Sequence, residues 1–325
     1  MAVKSFSRWH HYRLVDWLTQ GYLAIVGLLV LILHGATLPQ WRWFVLGHLV
    51  LLVAIDALIR WHAARPDRWV VDFLRHFYPV LLYAFLYRET GSLNHLLATG
   101  YLDAHLLRWD LQMFGGLPSV SFMERLPYLL VSELLYASYF SYYIMIPGVG
   151  IALFLRQRAR FQHYIAVLSF VFYVCYLFYI FTPVMGPGFL DPEKSPLPLP
   201  PDLAELTLPA PPTAIQVGPF FRIMAYVYEH FEALGACFPS SHVAVALCTL
   251  YFSFRYLPRI RILHTVMVIL MSIATVYCRY HYVADVIAGA LAAALLIPLG
   301  NWLHRRFGKA GFIQDAVMKV KGSVL

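Results

Sequence analysis

Charge is what this sequence has little of. Asp, Glu, Lys and Arg make up 13% of its 325 residues, whereas 60% are hydrophobic. A water-soluble domain of this length cannot hide so much apolar surface, so a polytopic membrane protein is expected instead. Acidic residues are scarcer than basic ones, leaving a formal charge of +8. The basic surplus lies in short clusters between apolar segments, which argues for loop anchoring and against nucleic acid as a partner. Cysteine is sparse too, and Cys175, Cys237, Cys248 and Cys278 have no metal-ligand spacing. Cys175 and Cys248 fall inside apolar segments as small hydrophobes. Cys237 and Cys278 flank two histidine-bearing runs and either pair or stay free. No internal repeat is visible, and no cleavable signal peptide is expected, because residues 1–20 are polar and basic.

What is abundant is apolar sequence in blocks of helix length. Leu18–Leu38, Trp43–Ala63, Val70–Tyr87, Leu126–Leu155, Tyr164–Phe181, Ala236–Tyr256, Ile262–Tyr277 and Tyr282–Trp302 are expected to be eight transmembrane helices of an all-α bundle. Arg88–Arg125 is too polar to cross. Within it, Tyr101–Phe114 places Leu102, Leu106, Trp109 and Met113 on one face, with Asp103, Arg108 and Asp110 elsewhere. This predicts an amphipathic outer-face helix, closed by Gly115, Gly116 and Pro118. Its acidic and basic residues are either solvated or touch a headgroup.

Thr182–Pro212 is rich in proline and is expected to be an outer loop, followed by a short helix over Phe220–Leu234. The expected division is N-terminal helices and surface helix over 1–125, and a catalytic core over 126–325. His34, His48, Asp56, Asp72 and His76 lie in other spans and are read as packing or interfacial groups. Phe170–Tyr179 reads as a lipid-facing or packing surface.

Orientation follows from the basic clusters. With the N-terminus inside, Arg60, Arg65 and Arg68, then Arg156, Arg158 and Arg160, then Arg255, Arg259 and Arg261 all fall on one side. The basic tail (Arg305, Arg306, Lys309, Lys319 and Lys321) joins them. The positive-inside rule makes that side, and both termini, cytoplasmic. The histidine runs then face the periplasmic, extracellular or lumenal side.

Those runs are Phe238-Pro239-Ser240-Ser241-His242 and Arg279-Tyr280-His281-Tyr282-Val283-Ala284-Asp285. His281 and Asp285 are four apart, so a helical start puts the carboxylate under the ring. A carboxylate on Nδ1–H fixes the tautomer and leaves Nε2 free as nucleophile or base. His242 comes from another helix start and can supply the opposite proton transfer. Ser240, Ser241, the open N–H groups after Pro239 and the fixed charge of Arg279 favour an anion. A nucleophile, an acid, a supporting carboxylate and an anion cradle describe phosphoryl transfer through a phosphohistidine.

The same two runs resemble the second and third signature motifs of the type 2 phosphatidic acid phosphatase superfamily. The dense His281-Tyr282-Val283-Ala284-Asp285 form is most similar to its inositol phosphorylceramide synthase-like branch. The resemblance implies an enzyme with His281 as nucleophile, Asp285 as its partner and His242 as the acid for the leaving oxygen. It also implies a membrane lipid substrate, no metal and no cofactor. The acceptor is then water, as in a lipid phosphate phosphatase, or an alcohol such as inositol, as in a phosphotransferase, and the motif form favours transfer. Three departures stand out. Phe181–Gly188, where the superfamily carries its first phosphate-binding motif, has no basic residue; the arginine usual further upstream of the nucleophilic histidine is displaced, with Arg279 as its substitute; and Ser241 stands where glycine is usual. Two other classes stay open: a transporter using the histidines and Asp285 as a proton relay, and a metallohydrolase with His242, His281 and Asp285 as ligands.

Overall fold

The computed structural model describes residues 11–35, 38–191 and 199–308. Lys309, Lys319, Lys321 and part of the proline-rich loop lie outside those residues. Among the described residues the fold is all-α, with no strand. Its helices are α1 (Leu14–Leu33), α2 (Trp41–Ala64), α3 (Trp69–Leu93), α4 (Asp103–Phe114), α5 (Pro118–Arg125) and α6 (Leu129–Arg156). They continue as α7 (Arg158–Phe181), α8 (Thr213–Gln216), α9 (Pro219–Phe231), α10 (Ser241–Tyr256), α11 (Arg261–Tyr277) and α12 (Val283–Phe307).

Six of these, α1, α2, α3, α6, α7 and α12, are long and apolar enough to cross a membrane. The protein is therefore an integral membrane protein by its helices. The sequence expectation of about eight transmembrane helices is narrowed to these six, because α10 and α11 have 16 and 17 residues. At 1.5 Å per residue such helices run about 24–26 Å, short of the roughly 30 Å hydrocarbon core. The shortening has a local cause. The run into α10 carries Pro239, and Ser240 caps the helix only afterwards, so residues 236–240 are not helical.

α7 is the central helix and packs against α1, α3, α6, α10 and α12. Apolar and aromatic residues surround its axis, as a helix buried on all sides requires. Water exclusion does not hold helices together inside lipid, so close packing and interhelical hydrogen bonds must. Tyrosine supplies both here: Tyr83 meets Ser169 Oγ at 2.7 Å, and Tyr164 donates to the Ile146 carbonyl at 2.8 Å. Arg75 of α3 is buried and donates to Asp16 of α1 at 2.8 Å, with the Tyr78 hydroxyl on the same carboxylate. Asp72 gathers His62, His76 and Arg158, which ties α2, α3 and α7. Asp72 and His76 are thus packing groups.

Connectivity alone puts the start of α10, the end of α11 and the start of α12 at one end of the bundle, beside the end of α7. The junctions α2–α3, α6–α7 and α10–α11, which hold the arginine clusters, lie at the other end.

Candidate active site

The site is built where two helix starts are locked together. Ser240 Oγ caps α10 by accepting from Val243 N, and Ser240 N donates to the Asp285 carbonyl at 3.2 Å. Gly289 permits this approach, since a Cβ there would stand 2.4 Å from the Ser240 carbonyl oxygen. Asp285 Oδ2 accepts from Tyr282 N at 2.9 Å and so caps its own helix. The start of α12 is held a second time by Asp110 of α4, whose carboxylate takes the Val283 and Ala284 N–H groups, each at 2.9 Å. Open N–H groups at a helix start favour a carboxylate.

The segment after α7 is clamped in the same manner. Val184 bridges Ala236 in parallel, and Cys237 N donates to the Val184 carbonyl at 3.0 Å. Asp103 accepts from Met185 N at 2.9 Å, from Gly186 N at 2.8 Å and from the Tyr282 hydroxyl at 3.0 Å. Gly186 takes φ 86, and a Cβ there would stand 2.8 Å from the Tyr280 carbonyl oxygen. No other residue fits that bend.

These clamps set the side chains. His281 Nε2 faces His242 Nδ1 at 3.3 Å, and Ser240 Oγ stands 3.3 Å from the same His281 nitrogen. On the other edge of the His281 ring, Nδ1 lies 3.4 Å from Asp285 Oδ2. Cys237 joins that edge, with Sγ 3.0 Å from Nδ1 and 2.9 Å from Asp285 Oδ2. His242 Nε2 meets the Tyr139 hydroxyl at 3.0 Å, which meets the Tyr228 hydroxyl at 2.6 Å. His281, Asp285, Ser240 and Cys237 are all buried. Burial pushes the His281 pKa down to about 3, so its imidazole is neutral, and the tautomer with Nδ1–H on Asp285 leaves the Nε2 lone pair available. Burial likewise raises the Asp103 carboxyl to about 7, against the opposing pull of its backbone N–H donors.

Two cavities meet at His242. The larger, about 460 Å³, is walled by aromatics of α3, α6, α7 and α9, among them Tyr83, Tyr143, Phe172 and Phe231. Arg88 is the sole Arg or Lys among the described residues that line it. The smaller, about 10 Å³, lies between His242, His281, Cys237 and Glu232. Cys237, His281 and Asp285 also present sulfur, nitrogen and oxygen atoms within 4.8 Å of one another, a donor set that a metal ion could use.

Of the residues singled out by sequence, His242, His281, Asp285 and Ser240 come together. Ser241 lies beside them, with its N–H on the Tyr179 hydroxyl at 3.1 Å, and lines the larger cavity. Arg279 is placed elsewhere. Its guanidinium donates to the Pro209 and Val120 carbonyls and pairs with Glu124 at 3.8 Å, so it fastens the proline-rich loop to α5. A backbone φ of 63 and these partners explain the displacement.

Asp103 and Asp110 are neither solvated nor at a headgroup position. Both are buried, and α4 turns Trp109 and Met113 outward instead. Arg108 alone is on the exposed face, paired with Asp202 at 2.8 Å. All four cysteines are free, and Cys237 and Cys278 sit in different buried clusters. Sequence reasoning missed Tyr139, Tyr228 and Arg88. For Tyr139 a signal existed: Ser132, Tyr136, Tyr139 and Tyr142 follow helical spacing along one buried stripe of α6.

A family model described as the PAP2 superfamily matches residues 105–299, more than half of the chain. No curated protein and no solved structure matches it.

Proposed function

The chain belongs to the PAP2 superfamily, whose chemistry is phosphoryl transfer or hydrolysis on lipid phosphates, and from that premise we propose that it is a lipid phosphotransferase of the inositol phosphorylceramide synthase-like kind. In this reading His281 Nε2 attacks phosphorus. An N–P bond forms as the P–O bond to the donor alcohol breaks, and His242 delivers a proton to the departing oxygen. Asp285 holds Nδ1–H of His281 and balances the charge that develops on the ring. The Ser240 hydroxyl, 3.3 Å from His281 Nε2, is the group that meets the phosphate, the place the sequence assigned to Ser240 and Ser241, while the neighbouring N–H groups of Ser240, Ser241 and Val243 are already held by protein acceptors. In the second half the acceptor alcohol gives its proton to His242 as its oxygen takes phosphorus from His281. The site faces the non-cytoplasmic side, with α10 and α11 completing eight crossings.

The observation that carries transfer is the aromatic cavity of about 460 Å³ ending on His242. It gives an organic acceptor room beside the proton-handling residue. Hydrolysis is the second reading, favoured by the cavity of about 10 Å³ beside His281, which fits a single water. Purified protein in detergent, offered lipid phosphates and phospholipids with and without alcohols, tests both. A new phospholipid that needs the acceptor and disappears in His281→Ala supports transfer. Free phosphate without acceptor dependence supports hydrolysis. Equal turnover by wild type and His281→Ala overturns the phosphohistidine.

A further inference from the structure

We propose that Tyr139 is the positioning residue of the proton-handling histidine, fixing His242 so that Nδ1 is the nitrogen that gives and takes the proton. The inference rests on the reading above, in which His281 is the nucleophile and His242 the acid. Its geometric basis is separate. The two ring nitrogens of His242 have different partners: Nδ1 looks at His281 Nε2 at 3.3 Å, and Nε2 is held by the Tyr139 hydroxyl at 3.0 Å. The nitrogen held by Tyr139 is thereby withdrawn from substrate.

A tyrosine hydroxyl suits this place because it both donates and accepts. When His242 is an imidazolium, Nε2–H donates to Tyr139 and Nδ1–H is the proton released to the leaving oxygen. The neutral ring that remains keeps Nε2–H on Tyr139 and offers the Nδ1 lone pair to the acceptor's proton. Between turnovers the hydroxyl can turn and donate to Nε2 instead. Each direction leaves Tyr139 one further hydrogen bond to make, and the Tyr228 hydroxyl at 2.6 Å takes it.

The support is rigid. Tyr139 is fully buried in α6, and its ring centroid lies 5.1 Å from that of His242. Tyr142, one turn along the same helix, flanks the His242 ring at 4.6 Å. Tyr228 is stacked on Tyr280 at 3.5 Å with 7° between planes, directly before His281. An acid and the tyrosine behind it are therefore registered against the nucleophile through one aromatic stack.

The test compares two phosphate esters on the full-length protein. A long-chain alkyl phosphate has a poor leaving group and needs the proton, whereas p-nitrophenyl phosphate departs without one. Tyr139→Phe keeps the ring and removes the hydroxyl, and its kcat on the alkyl ester is expected to fall ~10–100-fold, within the usual reach of acid catalysis. On the aryl ester the loss should be at least about tenfold smaller, and the pH limb set by the acid should move. Tyr228→Phe should show the same leaving-group dependence more weakly, and the double variant should lose less than the product of the two single losses. That second variant decides the matter if Tyr139→Phe does not fold. Equal losses on both esters, with an unmoved pH profile, overturn the role of Tyr139. Activity surviving in His281→Ala would instead overturn the nucleophile assignment, so the two failures are distinct.

Discussion

The Cys237 thiol stands 2.9 Å from Asp285 Oδ2, nearer to that oxygen than His281 Nδ1 is at 3.4 Å. A thiol is a weak donor, yet this one completes the support on which the His281 ring rests. Cys237→Ser keeps a donor of similar size and should retain most of the turnover. Cys237→Val removes the donor and should lower kcat about tenfold, the scale at which loss of an orienting contact is felt. Kinetics of the two variants on one substrate check the difference. In the phosphohistidine reading Nδ1 of His281 keeps its proton and no ion takes part, so a divalent-ion chelator should leave wild-type activity unchanged; loss of activity in chelator would favour a metal on Cys237, His281 and Asp285.

Asp103 holds three donors from two segments, the stretch after α7 and the start of α12. Removing its carboxylate strands the Met185 and Gly186 N–H groups in a buried place, at about 1 kcal/mol or more each, whereas the Tyr282 hydroxyl keeps the Gly186 carbonyl at 2.9 Å. Asp103→Ala should therefore destabilise the protein by about 2 kcal/mol, read as a lower midpoint of thermal unfolding in detergent. The carboxyl also predicts a pH dependence. Its value is about 7 folded against 3.8 unfolded, so between those values the folded chain holds a proton that the unfolded chain has lost. Stability from this group falls as pH rises through that window, and Asp103→Asn should flatten the slope.

Arg88 faces the larger cavity from α3, in a protein whose Phe181–Gly188 segment offers phosphate no basic side chain. If phosphate-bearing substrates approach His281 through that cavity, Arg88→Ala should raise KM severalfold and leave kcat nearly intact. Arg88→Lys should restore part of the loss. A fall in kcat at unchanged KM would place Arg88 outside the binding step.

How much of this was legible beforehand differs from residue to residue. His242, His281 and Asp285 could be found because each sits at the mouth of an apolar segment, where chain topology returns both runs to one end. The starts of α7 and α10 could not be placed as well, although their last residues, Phe181 and Tyr256, were. Gln157 leaves a single-residue junction between α6 and α7, and only the packing around α7 reveals that Arg158 and Arg160 begin a helix. Asp103 and Asp110 were misread because a polar face on a short helix looks the same whether it meets water or the free N–H groups of another helix. Arg279 was misplaced since sequence proximity to His281 says nothing of side-chain direction at a left-handed residue. The stripe of α6 marks Tyr139 as inward-facing, but its partner His242 lies 103 positions away, as His281 lies 44 from Cys237, and no local pattern names such partners.

The remaining prediction concerns acid. Burial holds His281 at about 3 in the folded protein, against 6.5 when unperturbed. The nucleophile is therefore unprotonated well below neutral pH, and a substrate that needs no leaving-group proton reports on it directly. With p-nitrophenyl phosphate, kcat/KM should show no limb near pH 6.5 on the acid side. A limb at that value would mean that His281 meets solvent in the working enzyme, against the burial seen here. The sign for stability follows from the same shift. Between 6.5 and 3 the unfolded chain binds a proton at His281 that the folded chain refuses, so the stability present above 6.5 is lost as pH falls through that range. His281→Gln cannot titrate, and its unfolding midpoint should depend less on pH over that interval than the wild type's does.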